Sequence, residues 1–280
     1  EVTLLGQTVN SYRDPQQKLP PAPMADLADP DESEFAALLR FIAQEVPALA
    51  RLRYTSPHPR HVTPSLIAAH GDLDVLAKHV HLPVQSGSDR MLKRMIRRYT
   101  AAEYIERATA LCGARSGLTL STDIIVGFPS ETEEDFQRTL DLVAKMRFAG
   151  LFGFKYSRRP HTPAQKLPDD VSEHVKSTRL AALFALSEAL LSERLTGLVG
   201  GVEKVLVEGE REEGSGRVTG RTERNEIVHV AGDPAALVGT IAEVRIVRAF
   251  KHSLEGELLH APAPAPRPPP ARRSLPVFGA

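Results

Sequence analysis

Asp123 stands inside an apolar run, Leu118-Thr-Leu-Ser-Thr-Asp-Ile-Ile-Val126. The β-branched residues of that run make it a candidate buried strand. A carboxylate there needs a partner or a job, because an isolated charge in apolar surroundings is costly. Polar side chains recur where other strand-like segments end: Gln7 and Asn10, Ser56 and His58, Gln85 and Ser88, and Tyr156 and Ser157. Amides, hydroxyls, an imidazole and a carboxylate suit the orienting of a polar ligand by hydrogen bonds. Any one alone is an ordinary loop residue. Five strand ends repeating the pattern point to a shared face, such as the mouth of an α/β barrel.

After the run, Gly127-Phe128-Pro129 turns the chain. Ser130 and Glu133 have the spacing of a capping box, which predicts a helix start there. Phe136, Leu140, Val143 and Met146 then give that helix one apolar face. Its acidic first turn (Glu131, Glu133, Glu134, Asp135) suits the helix dipole and disfavours a phosphate at this N-terminus. G-x-G-x-x-G and G-K-[ST] signatures are absent, as are H-E-x-x-H, G-x-S-x-G and clustered Cys/His patterns. Nucleotide phosphate loops, zinc hydrolysis and serine nucleophiles therefore have no anchor. Cys112 is the only cysteine, which excludes an internal disulfide and a cysteine-ligated cluster held by this chain alone. Near the end of an apolar helix, it reads as a structural thiol.

The elements that must position these residues alternate. Glu1–Gly6 reads as a strand already under way, which leads us to expect a fragment; no signal-peptide pattern is present. Residues 12–31 are rich in Pro, Asp and Gln and form a loop. A helix is predicted over Ser33–Val46, stopped by Pro47, then a strand over Leu49–Tyr54 and a helix from Pro64 that Gly71 ends. A third strand spans Ala77–Gln85. Helices follow at Asp89–Ile96 and Ala101–Ala114, the second capped by Thr100. After the run around Asp123 and its helix come a strand over Gly150–Tyr156, a proline-bearing loop and a long helix over Ser172–Leu195. Five strands alternating with helices predict an α/β fold, an incomplete parallel barrel over residues 1–195.

At Gly197 the texture changes to short alternating segments separated by glycines and Asp-Pro. Residues 196–260 are expected to form a small antiparallel β-barrel of OB-like kind. Residues 261–280, with Ala-Pro repeats, are expected to be a disordered tail. The 280 residues carry 35 basic and 35 acidic side chains, so bulk charge makes no case for nucleic acid or membrane. No apolar run approaches the ~18 residues of a membrane span. Local basic groups are the alternative: Arg90, Lys93, Arg94, Arg97 and Arg98 on one predicted helix, with Lys93 and Arg97 spaced i, i+4, and Arg217, Arg221, Arg224, Arg245, Arg248 and Lys251 in the β segment. Each set is either a solvated face or a holder of phosphate groups.

The stretches Leu5-Gly-Gln-Thr-Val-Asn-Ser-Tyr12, Thr55-Ser-Pro-His-Pro59, His81-Leu-Pro-Val-Gln-Ser-Gly-Ser-Asp89, Asp123-Ile-Ile-Val-Gly-Phe-Pro129 and Phe154-Lys-Tyr-Ser157 resemble the MiaB-type tRNA methylthiotransferases, which are radical S-adenosylmethionine enzymes. Gly220-Arg-Thr-Glu-Arg-Asn225 and Ser253-Leu-Glu-Gly-Glu257 are similar to their C-terminal TRAM module, associated with RNA binding. The resemblance implies a radical (β/α)6-type barrel lacking its first unit, and methylthiolation at C2 of N6-isopentenyl-adenosine beside the tRNA anticodon. It implies two cofactors, S-adenosylmethionine and, in the full-length protein, two 4Fe-4S clusters whose cysteines would lie upstream of Glu1. The fragment alone is then expected to be inactive. The implied partner is the anticodon stem-loop of tRNA, met by a cytoplasmic monomer without a membrane; the sulfur donor stays open. Gln7, Ser56, Gln85, Asp123, Gly127 and Phe128 become the expected S-adenosylmethionine contacts, with the Gly127–Phe128 backbone close to adenine. Arg97, Tyr156 and Arg159 become the expected RNA contacts. Thr8 stands where the family usually has Asn, His161 where it has Gly, and Ser130 where Gly is commoner.

Two rivals remain at this point. One is a related methylthiotransferase acting on threonylcarbamoyl-adenosine tRNA, the other a non-catalytic RNA-binding protein of the same two modules. An ordinary barrel lyase would need a Lys, Glu or metal cluster at the strand ends, and none stands out.

Overall fold

A computed structural model describes residues 1–16, 18–160 and 162–260. The expected tail and His161 lie outside the described residues. Strands β1 (Val2–Leu4), β2 (Leu52–Tyr54), β3 (His79–His81), β4 (Thr119–Val126) and β5 (Gly150–Lys155) alternate with helices α1 (Phe35–Glu45), α2 (Pro64–Asp72), α3 (Asp89–Arg94), α4 (Ala101–Ala114), α5 (Glu133–Met146) and α6 (Glu173–Thr196). All strand pairs here are parallel: β1 with β2, and β3 with β4 and β4 with β5. A parallel bridge from Leu52 to Leu76 carries the order across to the segment before β3. The sequential order is what βα units give when each helix returns the chain along the same face.

The helices cover one face. Leu39, Leu66, Tyr104, Leu111, Phe136, Val143 and Leu183 from the helices pack against Leu52, Val80, Leu120, Ile124 and Val126 from the strands. Strand alternation sends the next residues to the other face. There Phe152 and Phe154 are 57% and 51% exposed.

Several local expectations shift. The third strand is shorter than Ala77–Gln85; Pro83 has no N–H to donate, and pairing resumes only at the Gln85–Ile124 bridge. The helix after Pro129 does not start at Ser130. Its N-cap is Thr132, whose hydroxyl accepts from Asp135 N–H while the Asp135 carboxylate accepts from Thr132 N–H, a capping box two residues on. Ser130 instead adopts a left-handed backbone, φ 64°. The basic helix ends at Arg94, so Lys93 and Arg97 do not share a helical face. Thr100 does cap α4, with Glu103 completing the box.

The second unit comprises β6 (Val202–Glu210), β7 (Arg217–Arg221), β8 (Ile227–Ala231), a short helix α7 (Pro234–Leu237), β9 (Ile241–Ala249) and β10 (Leu254–Leu258). They close a barrel in the order β10-β8-β7-β6-β9. It is not wholly antiparallel: β10 pairs parallel with β8, which closes the barrel. Gly256 of β10 allows a close approach, since a Cβ there would lie 2.2 Å from Val244 Cγ1. Val205, Val218, Val228, Val244, Ile246 and Leu254 fill the interior, and Leu195 from α6 joins them.

The barrel sits at the N-terminal ends of the parallel strands. Arg51, just before β2, is buried and donates to the carbonyls of Arg221, Thr222 and Lys204 at 3.2–3.3 Å. Arg53 adds a bond to Thr222 O, and Arg194 pairs with Glu226 at 2.7 Å. The opposite strand ends stay open. Among the described residues no helix is long and apolar enough to cross a membrane.

Candidate functional site

At the C-terminal ends of β3, β4 and β5 lies a cleft of about 570 Å³, bounded by Gln85, Asp123, Ile125, Phe128, Phe154 and Tyr156, with Arg159 and Thr162 at its edge. Gln85 reaches it through a strained backbone, φ 74°. Two bonds hold that conformation: Gln85 N–H donates to Asp123 O, and Gln85 O accepts from Ile125 N–H, both at 2.9 Å. A conformation disfavoured by about 1–3 kcal/mol persists only where its surroundings impose it, and such residues gather at ligand sites.

Asp123 faces the cleft from mid-β4, half-buried, with His81 Nε2 at 3.3 Å from its Oδ1. The acid in the strand thus has a partner and an open side. The far wall is aromatic. Phe128 meets Tyr156 edge-on, centroids 5.0 Å apart, and the Tyr156 hydroxyl donates to Ala164 O at 3.1 Å.

Behind that wall the Gly127 turn is fixed by a buried ion pair, Glu131–Arg179, and by the buried stem of Lys176, whose ammonium meets carboxylates at the surface. Gly127 adopts φ 70°, and its N–H donates to Glu131 Oε2 at 2.6 Å. Glu131 also accepts from Arg179 at 2.9 Å; burial pushes its carboxyl above the ordinary range, against those two bonds. Lys176 is only 1% exposed and its ammonium bonds Asp169 at 2.8 Å and Glu173 at 3.0 Å. Burial works against the Lys176 charge, but the two carboxylates outweigh it and hold its pKa above the usual value. A Cβ on Gly127 would stand 2.3 Å from Lys176 Cγ. The glycine is therefore required by the lysine behind it.

Of the expected contacts, the cleft brings together Gln85, Asp123, Phe128, Tyr156 and Arg159. Gln7 and Ser56 are exposed at the ends of β1 and β2 and do not line it, and neither does Gly127. Arg97 lies beyond α3, where its charge, after burial, helps to hold the His58 imidazole down to about 4. Thr8 occupies a left-handed backbone (φ 54°, ψ 52°), which Asn tolerates better than a β-branched residue. Sequence reasoning did not single out His81, Phe154, Glu131 or Lys176 for the site. The alternation His79-x-His81 beside Ser121-x-Asp123 was the available signal for the first; nothing local marks Lys176.

The basic residues of the β barrel are largely spoken for. Arg217 pairs with Glu255, Arg221 with Glu208, and Arg224 with Glu203 and Glu226. Arg248 differs, stacking on Phe250 at 4.8 Å from the ring centroid.

The residues fit a nucleoside-type ligand: a cleft lined by the aromatic side chains of Phe128, Phe154 and Tyr156 together with the Gln85 amide and the Asp123 carboxylate. They do not fit an iron–sulfur cluster. Cys112 is the sole cysteine, half-buried in α4 with its thiol pushed up by burial, and no group of three or more His, Cys, Asp or Glu side chains could hold a metal among the described residues.

A parallel βα array with its cleft at the strand ends, followed by a closed five-stranded barrel, is a recognisable pairing. The sequence matches the Radical SAM superfamily over residues 2–143 and the TRAM domain over residues 198–259. This chain belongs to the radical SAM superfamily. A protein of Sorangium cellulosum (strain So ce56) named tRNA-2-methylthio-N(6)-dimethylallyladenosine synthase is 63% identical over 295 aligned positions, covering 100% of this chain and 59% of that protein. One of the same name from Geobacter sulfurreducens is 45% identical, covering 92% of this chain and 54% of that protein. The chain thus spans between 54% and 59% of these curated relatives. A solved structure of the Escherichia coli radical SAM enzyme coproporphyrinogen III oxidase aligns at a TM-score of 0.45 and 15% identity, covering 78% of this chain and 55% of that one.

Proposed function

We propose that this chain is the S-adenosylmethionine-binding and RNA-binding part of an enzyme that methylthiolates C2 of N6-isopentenyl-adenosine next to the tRNA anticodon. The observation that carries the reading is the 63% identity, over the whole of this chain from the parallel array through the β barrel, to a protein named for that reaction. When bound, S-adenosylmethionine supplies the carbon-centred radical by which the superfamily attacks unactivated bonds.

The chain's own residues bind and shield. Phe128, Phe154 and Tyr156 take the flat adenine. Asp123 accepts hydrogen bonds from the ligand's donors, and Gln85 both donates and accepts. The aromatic wall excludes water from a site where a radical would otherwise react with whatever is near. Arg159 at the edge of the cleft, and Arg97 beyond it, suit RNA phosphates of the anticodon stem-loop. Gln7 and Ser56, exposed at the first two strand ends, lie outside the cleft and meet the ligand only where it extends beyond that cleft. Two 4Fe-4S clusters belong to the full-length enzyme, with ligands outside this chain, and cytoplasmic residence as a monomer goes with that reading.

Mass spectrometry of tRNA nucleosides from a deletion strain tests it. Loss of the 2-methylthio derivative, with N6-isopentenyl-adenosine accumulating and restored by the full-length gene, is the expected result. Unchanged 2-methylthio-adenosine in the deletion would overturn the assignment.

A further inference from the structure

On the face of the sheet away from the helices, four polar side chains lie in a row: His79 and His81 of β3, Ser121 and Asp123 of β4. The register explains the row. His81 pairs with Ser121 across the parallel ladder, and alternate residues share a face. His79 Nε2 lies 3.0 Å from Ser121 Oγ, His81 Nδ1 lies 2.8 Å from the same oxygen, and His81 Nε2 lies 3.3 Å from Asp123 Oδ1. One hydroxyl thus joins two imidazoles, and the second imidazole reaches the carboxylate that faces the cleft.

We infer that His79, Ser121 and His81 form a directional hydrogen-bond chain that positions the Asp123 carboxylate for the hydrogen-bond-donating part of a nucleoside ligand; this rests on the cleft being the S-adenosylmethionine site. The direction follows from donor and acceptor inventories. An ionised carboxylate only accepts, so His81 Nε2 carries the hydrogen. His81 Nδ1 of the neutral ring is then an acceptor and takes the Ser121 hydroxyl hydrogen. Ser121 Oγ in turn accepts from His79 Nε2–H. Every link points toward Asp123. His79 is suited to the head of the row because burial, reinforced by the nearby Arg53 charge, keeps its ring neutral, lowered to about 3. Edge-on packing of His81 against Phe152, centroids 5.8 Å apart, restrains the ring plane. With Oδ1 engaged by His81, Oδ2 is left to accept from a ligand. These are positioning residues, since Asp123 alone among the four borders the cleft.

The test combines ring-nitrogen NMR of the histidines in this chain with S-adenosylmethionine affinity of the full-length, iron- and sulfide-reconstituted enzyme. Expected are an Nε2–H tautomer at His81, its change to a mixture in Ser121→Ala, and its return in Ser121→Thr. Affinity should fall about tenfold, ~1.4 kcal/mol, in Ser121→Ala and His81→Phe and recover in Ser121→Thr. An unchanged tautomer in Ser121→Ala, or an unchanged affinity despite a changed tautomer, overturns the chain. Asp123→Ala separates the two readings: if it leaves affinity intact, the cleft assignment itself falls. If it weakens binding while the Ser121 and His81 variants do not, only the positioning chain falls.

Discussion

Replacing Gly127 by alanine tests whether the turn beneath the cleft is built around Lys176. Two costs are expected. The backbone is left-handed at φ 70°, which an L side chain adopts at about 1 kcal/mol. The new methyl would also meet Lys176 Cγ at 2.3 Å and Cδ at 3.1 Å. That lysine cannot simply swing away, because its ammonium is tied to Asp169 and Glu173 and its stem is buried. Overpacking of this kind costs about 1–3 kcal/mol, so Gly127→Ala should destabilise the chain by about 3 kcal/mol in all. Lys176→Ala removes both clashing carbons and leaves a tolerable 3.3 Å approach to Cβ. On that background the glycine substitution should cost only its backbone share. A double-mutant cycle by urea denaturation, followed by circular dichroism, should therefore show about 2 kcal/mol of coupling. Costs that add to within about 0.5 kcal/mol would refute the steric argument, as would a Gly127→Ala variant as stable as the parent.

Arg51→Ala should loosen the β barrel from the parallel array, leaving the carbonyls of Arg221, Thr222 and Lys204 short of a buried charged donor; a loss of about 3 kcal/mol and separation of one urea transition into two are expected, and an unaltered single transition counts against the interface. Acid should destabilise the fold through His70, whose Nε2 lies 2.7 Å from the Tyr54 hydroxyl. Burial, then the Arg115 charge, lowers its pKa from 6.5 to about 3, so below pH 6.5 the unfolded chain takes a proton that the folded one refuses. Between pH 6.5 and 4.5 this group alone should cost about 2.5 kcal/mol, a slope that His70→Gln removes. Asp135 works lower on the scale: burial raises its carboxyl, but hydrogen bonds from Arg90, Ser88 and Thr132 outweigh it and hold the pKa well below 3.8. Its contribution is complete above about pH 4 and disappears as pH falls further, and an Asp135→Asn variant should show a flatter acid limb in the same titration.

The βα period was legible because it is written locally. Apolar runs such as Leu118–Val126 and one-sided helices such as α4 and α5 carry their own signal. Asp123 was legible as well, since a carboxylate inside an apolar run is conspicuous. Its partner was not: His81 meets it only after β3 and β4 pair in one register out of several. The helix start was misplaced because S-x-x-E and T-x-x-D both fit the local rule. What decides is Asp135, which also accepts from Ser88 and Arg90 on α3, contacts at a separation of more than 40 residues. In β10, Leu254-Glu-Gly-Glu-Leu258 places glycine where alternation asks for an apolar residue. The parallel pairing with β8 and the approach to Val244 explain that glycine only in three dimensions.

The two ends of the parallel array divide their tasks by electrostatics. At the N-terminal ends, guanidinium groups are consumed: Arg51 and Arg53 on backbone carbonyls, Arg194 and Arg224 on Glu226. Charges so engaged and so buried hold two units together and cannot also bind RNA phosphates. At the C-terminal ends the buried pair Glu131–Arg179 and the buried stem of Lys176, tied to the exposed Asp169, sit one layer behind the cleft, not in it. They fix the Gly127 turn and the Phe128–Tyr156 wall, while Asp123 and Gln85 remain available to a ligand. The cations proposed to meet RNA are others: Arg159 on the cleft edge, Arg97 beyond α3 and, on the barrel, Arg248, which stacks on Phe250. Charge reversal at Arg248 should weaken tRNA binding by the full-length enzyme and lower its salt dependence by about one phosphate contact, while leaving S-adenosylmethionine affinity unchanged. Equal loss from Arg221→Glu, a residue already paired with Glu208, would show that ion-paired and free arginines are not distinguished in this way.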